Sequence, residues 1–164
     1  ASAAKAKGIA MRGYVSCVVE CPYDGPTDPA DVADAVSELA ALGCYEISLG
    51  DTIGRGTPDK VGKMLAAVLQ VLPPDRLAGH YHDTGGNALD NIRVSLEHGL
   101  RVFDASVGGL GGCPFAPGAA GNVDTEDVEA MLTTAGYQTG LSPDLVKEAA
   151  EFARGLREGH VRND

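Results

Sequence analysis

Two histidines two residues apart, in Gly79-His80-Tyr81-His82-Asp83-Thr84-Gly85-Gly86, are the residues of this 164-residue chain best placed to do chemistry. Leu77 to His82 predicts a short strand, because Pro73-Pro74 blocks a helix before it and a glycine pair follows it. Alternate side chains of a strand share a face, so His80 and His82 point the same way with Cα atoms about 6.5 Å apart. That is chelate spacing: two ring nitrogens at a strand end can hold one divalent cation, with Asp83 adjacent to orient a ligand from behind. The same pattern also fits two partly buried histidines hydrogen-bonded within a polar strand end.

Three further residues invite the same question. Asp51 follows an apolar strand and reads equally as a turn carboxylate bonding its own backbone or as a catalytic one. Cys113 follows four glycines within five positions, in the loop Gly108 to Gly118, where the usual explanation of a cysteine as a small buried hydrophobe fits poorly. A thiol there, beside histidines and a cation, could have a lowered pKa and exchange protons with a substrate. The glycines suggest a lid that adopts positive φ and moves during turnover. Asn122, after Gly121, reads on spacing alone as a turn residue, with a carbonyl ligand for a hard cation as the other possibility. Cys17-x-x-x-Cys21 is a weak metal pair, and without a C-x-x-C motif the cysteines are expected to be free thiols.

These residues need elements to position them. Ala1 to Lys7 is composed like the tail of a helix stopped by Gly8. Arg12 to Val19 predicts a strand, and Cys21 to Pro26 a loop. Asp28 caps a helix with Pro29 at its first position, Val32, Val36 and Leu39 as its apolar stripe and Gly43 as its stop. Tyr45 to Leu49 is a second strand, and Thr57-Pro58 opens a helix with Val61, Leu65, Val68 and Leu69 inward. The histidine strand precedes a helix from about Gly86 to His98, and Val102 to Val107 is a fourth strand. Asp124 and Ser142-Pro143 cap two more helices, and the charged tail after Gly155 is expected to fray.

Strands near 12, 45, 77 and 102, each followed by a helix, make the pattern of parallel βα units with right-handed crossovers. Asp-Thr-x-Gly follows both the second and third strands, at Asp51 and at Asp83, so equivalent loops emerge on one side. Eight such units give about 250 residues, the size of a (β/α)8 barrel, and four are half of one. The alternative, an open doubly wound sheet, lacks a G-x-G-x-x-G after its first strand and so carries no dinucleotide signal. In a barrel, Asp51, His80, His82, Asp83 and the 108–122 loop meet at the C-terminal ends of the strands, where barrel enzymes keep their active sites.

A net charge of −10 disfavours nucleic acid as a partner. No apolar run approaches the roughly 20 residues of a membrane span, so no membrane partner is expected. The N-terminus lacks the apolar core of a signal peptide, and an intracellular location is expected.

Arg12-Gly13-Tyr14-Val15-Ser16-Cys17, Cys44 to Gly54, His80 to Thr84 and above all Ser106-Val107-Gly108-Gly109-Leu110-Gly111-Gly112-Cys113-Pro114-Phe115 resemble the 3-hydroxy-3-methylglutaryl-CoA lyase family, over nearly the whole chain. The resemblance implies a (β/α)8 barrel, of which this chain is the C-terminal half, strands five to eight plus a C-terminal helix. It implies cleavage of an acyl-CoA thioester, 3-hydroxy-3-methylglutaryl-CoA, to acetyl-CoA and acetoacetate with Mg²⁺ or Mn²⁺, in a homo-oligomer of the bacterial cytoplasm or mitochondrial matrix. Carried over by residue, it makes His80, His82 and Asn122 the metal ligands, which overrules the turn reading of Asn122. It makes Cys113 the proton carrier to the reacting centre and Asp51 an active-site aspartate, the candidate for taking the substrate hydroxyl proton. The family's first-strand Arg-Asp pair has no counterpart here, and Gly85-Gly86 stands where the family often has a bulkier residue, read as loop variation. An acyl-CoA condensing synthase on the same barrel and an inactive, self-associating metal-binding half-barrel are the other functions compatible with the sequence.

Overall fold

The computed structural model describes residues 1–111 and 121–159, with the side chains of 157–159 outside the description. Cys113 and most of its glycine-rich loop, and the end of the charged tail, thus lie outside the described residues. The chain divides into two compact units, 1–104 and 105–164.

The first unit opens with a short helix, α1 (Ser2–Ala6), and strand β1 (Arg12–Val15). The predicted strand stops four residues early because Cys17 has φ +57, a conformation that no continuing strand permits. The next stretch folds into a two-strand antiparallel ribbon, β2 (Glu20–Cys21) with β3 (Gly25–Pro26), in the region expected to be loop. Helix α2 (Pro29–Ala41) begins as its sequence demands: Asp28 Oδ1 accepts from Ala30 N at 2.9 Å, and Pro29 occupies the first turn, where its missing N–H is no loss.

Strand β4 (Glu46–Asp51), helix α3 (Pro58–Val68), strand β5 (Leu77–Tyr81), helix α4 (Ala88–Glu97) and strand β6 (Val102–Asp104) then repeat the unit. The sheet is parallel with order β1-β4-β5-β6, each strand beside its sequence neighbour. That is the succession of strands in half of a (β/α)8 barrel. Ile47, Leu49, Leu77 and Tyr81 on the sheet and Val61, Leu65, Val68 and Ile92 on the helices are all buried, so the strongest hydrophobic contribution comes from the face toward the helices.

The other sheet face carries the even-numbered residues, and it is polar. The register places Arg12 beside Glu46, Tyr14 beside Ser48, and Gly50, His80 and Asp104 in one row. The two Asp-Thr-x-Gly loops meet at their glycines. Gly54 has φ +64, and a Cβ there would lie 2.7–2.9 Å from Thr84 and the His82 carbonyl; a Cβ on Gly85 would lie 2.7 Å from the Gly54 carbonyl oxygen. Gly85 is therefore required by close backbone approach rather than being tolerated loop variation.

In the second unit, a 3-10 turn at Val107–Gly109 precedes helices α5 (Thr125–Thr134) and α6 (Pro143–Gly159). Ser106 bridges Asp124 in parallel, and Gly121 presses against this turn so closely that a Cβ would lie 2.6 Å from the Gly109 carbonyl oxygen.

Candidate functional site

The His80 and His82 rings stand side by side on the polar face, their centroids 5.5 Å apart and their planes tilted by 33°. Burial first, and then the neighbouring His80, push the His82 pKa down, which keeps a neutral ring with a lone pair to donate. His82 Nδ1 is buried and has no hydrogen-bond partner among the described residues. A buried polar nitrogen without a partner costs about 1–3 kcal/mol.

His80 is held differently. Its Nδ1 lies 3.2 Å from Asp104 Oδ2, a carboxylate that also accepts from Ser48 Oγ at 2.7 Å and from Arg12 Nη1 at 3.0 Å. Arg12 in turn donates from Nε to Glu46 Oε1 at 2.6 Å and stacks over the Tyr14 ring at 5.0 Å. Burial alone would raise the Asp104 pKa, but hydrogen bonds from His80, Arg12 and Ser48 outweigh it and hold the carboxyl well below the usual range. Burial likewise opposes the Arg12 charge, and its bonds to Asp104, Glu46 and Tyr14 reverse that, raising its pKa. The result is a satisfied ionic network under the histidine pair, in which every charge has an opposite partner.

None of Arg12, Glu46, Ser48 or Asp104 is a site residue on sequence spacing. The signal was present as alternation: Glu46, Ser48 and Gly50 interleave with Ile47 and Leu49, so one face of β4 is polar for its whole length. What pairs these residues with His80 is the register between strands, which no single strand reveals.

Asp83, expected to orient a ligand, accepts with Oδ1 from Ala88 N, the first residue of α4, at 3.0 Å. Asp51 is likewise engaged by backbone. It is in phase with Ile47 and Leu49 on the helix side of β4, opposite to the histidine face, and in register with buried Tyr81. Its Oδ1 accepts from Arg55 N at 3.1 Å and Oδ2 from Gly56 N at 2.7 Å, while Asn91 Nδ2 donates to the Gly56 carbonyl at 3.1 Å. Burial raises its pKa, partly countered by those two amides. These two bonds clamp the 52–56 loop. Asp51→Ala is expected to leave the buried Gly56 N–H and the part-buried Arg55 N–H unpaired and to lower stability by about 1–3 kcal/mol. Urea unfolding measures this, and an unchanged midpoint would remove the clamp.

In the second unit, Asn122 Nδ2 donates to the carbonyls of Leu110 at 3.0 Å and Gly111 at 3.3 Å, which fixes which way the amide faces. Its Oδ1 is buried and has no partner among the described residues. Asn122 thus has a supported amide with one lone-pair oxygen left over. Among the described residues no three His, Cys, Asp or Glu side chains are grouped to hold a metal.

A family model described as HMGL-like matches residues 1–152. The chain is 55% identical over 152 residues to the mitochondrial hydroxymethylglutaryl-CoA lyase of Arabidopsis thaliana, covering 93% of this chain and 32% of that protein. It superposes on a crystal structure of the HMG-CoA lyase of Brucella melitensis with a TM-score of 0.94 and 66% identity, covering 96% of this chain and 56% of that one. It also superposes on an HMG-CoA lyase of Acinetobacter baumannii in complex with coenzyme A and 3-methylmalate, with a TM-score of 0.87 and 35% identity, covering 94% and 50%. The chain therefore spans about a third to a half of the length of the curated relatives it matches.

Proposed function

The chain belongs to the HMGL-like family, and from that premise we propose that it is the C-terminal half, strands five to eight, of a metal-dependent barrel that cleaves 3-hydroxy-3-methylglutaryl-CoA to acetyl-CoA and acetoacetate. The observation that carries the metal site is the side-by-side pair of His80 and His82 on one face of the sheet, with His82 Nδ1 buried and without a partner among the described residues; the resemblance adds Asn122 to that pair. His80, His82 and Asn122 would hold Mg²⁺ or Mn²⁺. The cation supplies Lewis-acid polarisation of the substrate's oxygen atoms when bound.

The reaction breaks one carbon–carbon bond and moves one proton. The substrate hydroxyl loses its proton and becomes the ketone of acetoacetate, and the electron pair of the broken bond passes to the methylene carbon of the departing acetyl-CoA. Cys113 Sγ is the proposed donor to that carbon, on the position that the resemblance gives it and on the acidity of a thiol. For Asp51 we propose a positioning role, holding the 52–56 loop against the loop that follows His82, supported by its two backbone hydrogen bonds. The substrate class, an acyl-CoA thioester, is supported by the coenzyme A complex of the Acinetobacter relative. Relatives include mitochondrial and cytoplasmic forms, and a location in the bacterial cytoplasm or mitochondrial matrix belongs to the same proposal, as does assembly into a homo-oligomer. Among the described residues no helix is long and apolar enough to cross a membrane.

The test is acetoacetate release by the full-length protein. EDTA is expected to abolish it and added Mn²⁺ or Mg²⁺ to restore it; release that is indifferent to chelation would overturn the metal-dependent reading. The 164-residue chain alone is expected to self-associate and to release no acetoacetate. In the sheet β1-β4-β5-β6 each outer strand pairs on one side only, and the family's Arg-Asp pair is absent from the sequence. Light scattering and the same assay check this, and an active monomer would contradict it.

A further inference from the structure

We propose that Asp104 is a positioning residue: by accepting the Nδ1 proton of His80 it holds that ring in the tautomer whose Nε2 lone pair is free for the cation. This rests on His80 being a ligand, as proposed above. The geometry comes from the sheet register, which sets Asp104 directly beside His80 on the polar face, with Nδ1 3.2 Å from Oδ2. A histidine ring carries one proton when neutral, and which nitrogen bears it follows from the partner of the other. An ionised carboxylate is an acceptor only, so the nitrogen facing it must be the protonated one.

Two further contacts make Asp104 a fixed partner. Ser48 Oγ donates to the same Oδ2 at 2.7 Å, and Arg12 Nη1 lies 2.9 Å from Oδ1 and 3.0 Å from Oδ2, so three donors from three strands lock the carboxylate in place. Arg12 is itself held by Glu46 at 2.6 Å, which leaves the carboxylate little freedom to turn away from the ring. The asymmetry between the histidines supports the assignment. His82 Nδ1 has no partner among the described residues, whereas His80 Nδ1 is engaged and only the far side of that ring is left. Carboxylates behind metal-bound histidines act in this way generally, fixing orientation and raising ligand basicity.

The experiment uses the full-length protein with Mn²⁺ as the probe, and adds a readout that needs no metal. Nitrogen-15 NMR of the metal-free protein is expected to show His80 as the Nδ1–H tautomer, and Asp104→Ala to shift it toward Nε2–H. Mn²⁺ titration followed by electron paramagnetic resonance is expected to show Kd raised roughly 10- to 100-fold in Asp104→Ala and less in Asp104→Asn, whose amide oxygen can still accept. If the alanine variant does not fold, the wild-type tautomer and the asparagine variant decide. A wild-type His80 protonated at Nε2, or a Kd within about twofold of wild type in both variants, would overturn the assignment. If the wild-type protein binds no Mn²⁺ at all, the proposed metal site falls, and the tautomer measurement still decides what Asp104 does.

Discussion

His82→Ala in the full-length protein is expected to abolish measurable Mn²⁺ binding and to lower acetoacetate release by about 10³-fold or more, while leaving the urea midpoint close to that of the parent. The size follows from what a Lewis acid contributes: several kcal/mol of charge stabilisation, at about 1.4 kcal/mol per tenfold in rate, is at least three decades. The small effect on stability follows from the environment of the ring. His82 Nδ1 is buried without a partner, so in the metal-free protein the side chain already bears a desolvation cost, and its removal offsets part of the packing that is lost. The two measurements separate the possible roles. A variant that unfolds early would make His82 a structural residue, and one that retains Mn²⁺ affinity would take it out of the ligand set.

Cys113→Ala is expected to show the opposite division, with turnover reduced by roughly 10²–10⁴, the usual worth of one acid–base group, and Mn²⁺ affinity unchanged. Thiol chemistry motivates the prediction: a cysteine is the strongest acid among neutral side chains near pH 7 that can give a proton to carbon, and alanine removes the proton with little change in size. The variant should lower kcat and kcat/KM together, because the proton is delivered only as the bond breaks. Equal turnover would remove Cys113 from the mechanism. Loss of Mn²⁺ affinity along with turnover would mean that the substitution disturbs the ligand site.

How far the site was legible depended on the distance over which its residues act. His80 and His82 are two apart on one strand, and the period of two forces them to one face whatever surrounds them. The half-barrel was legible for a similar reason, since the βα repeat, the capping residues Asp28 and Thr57 and the glycine stops are local features with local causes. Asp51 shows what that logic leaves out. It follows its strand as Asp83 follows the next, yet it falls on the odd-numbered side with Ile47 and Leu49, and its oxygens are taken up by Arg55 and Gly56.

The sequence by itself determined the order of strands and helices, the chelate spacing of the histidines and the placing of Asp-Thr-x-Gly loops at equivalent strand ends. Each of these is set by residues within one element or one turn of one another, where propensity, capping and side-chain period act directly. Only the tertiary structure decided that Arg12, Glu46, Ser48 and Asp104 form one network beneath His80. They stand on three strands 34 to 92 positions apart, as the Arg12 bonds to Glu46 and Asp104 span, and meet through the register of a parallel sheet. It also decided that Asp83 accepts from the first amide of α4, that Gly85 must lack a Cβ, and that the Asn122 amide is held with no partner for its oxygen among the described residues. Such outcomes depend on which backbone atoms a side chain meets after packing, and a strand's own sequence carries the side its residues face but not the neighbours waiting there.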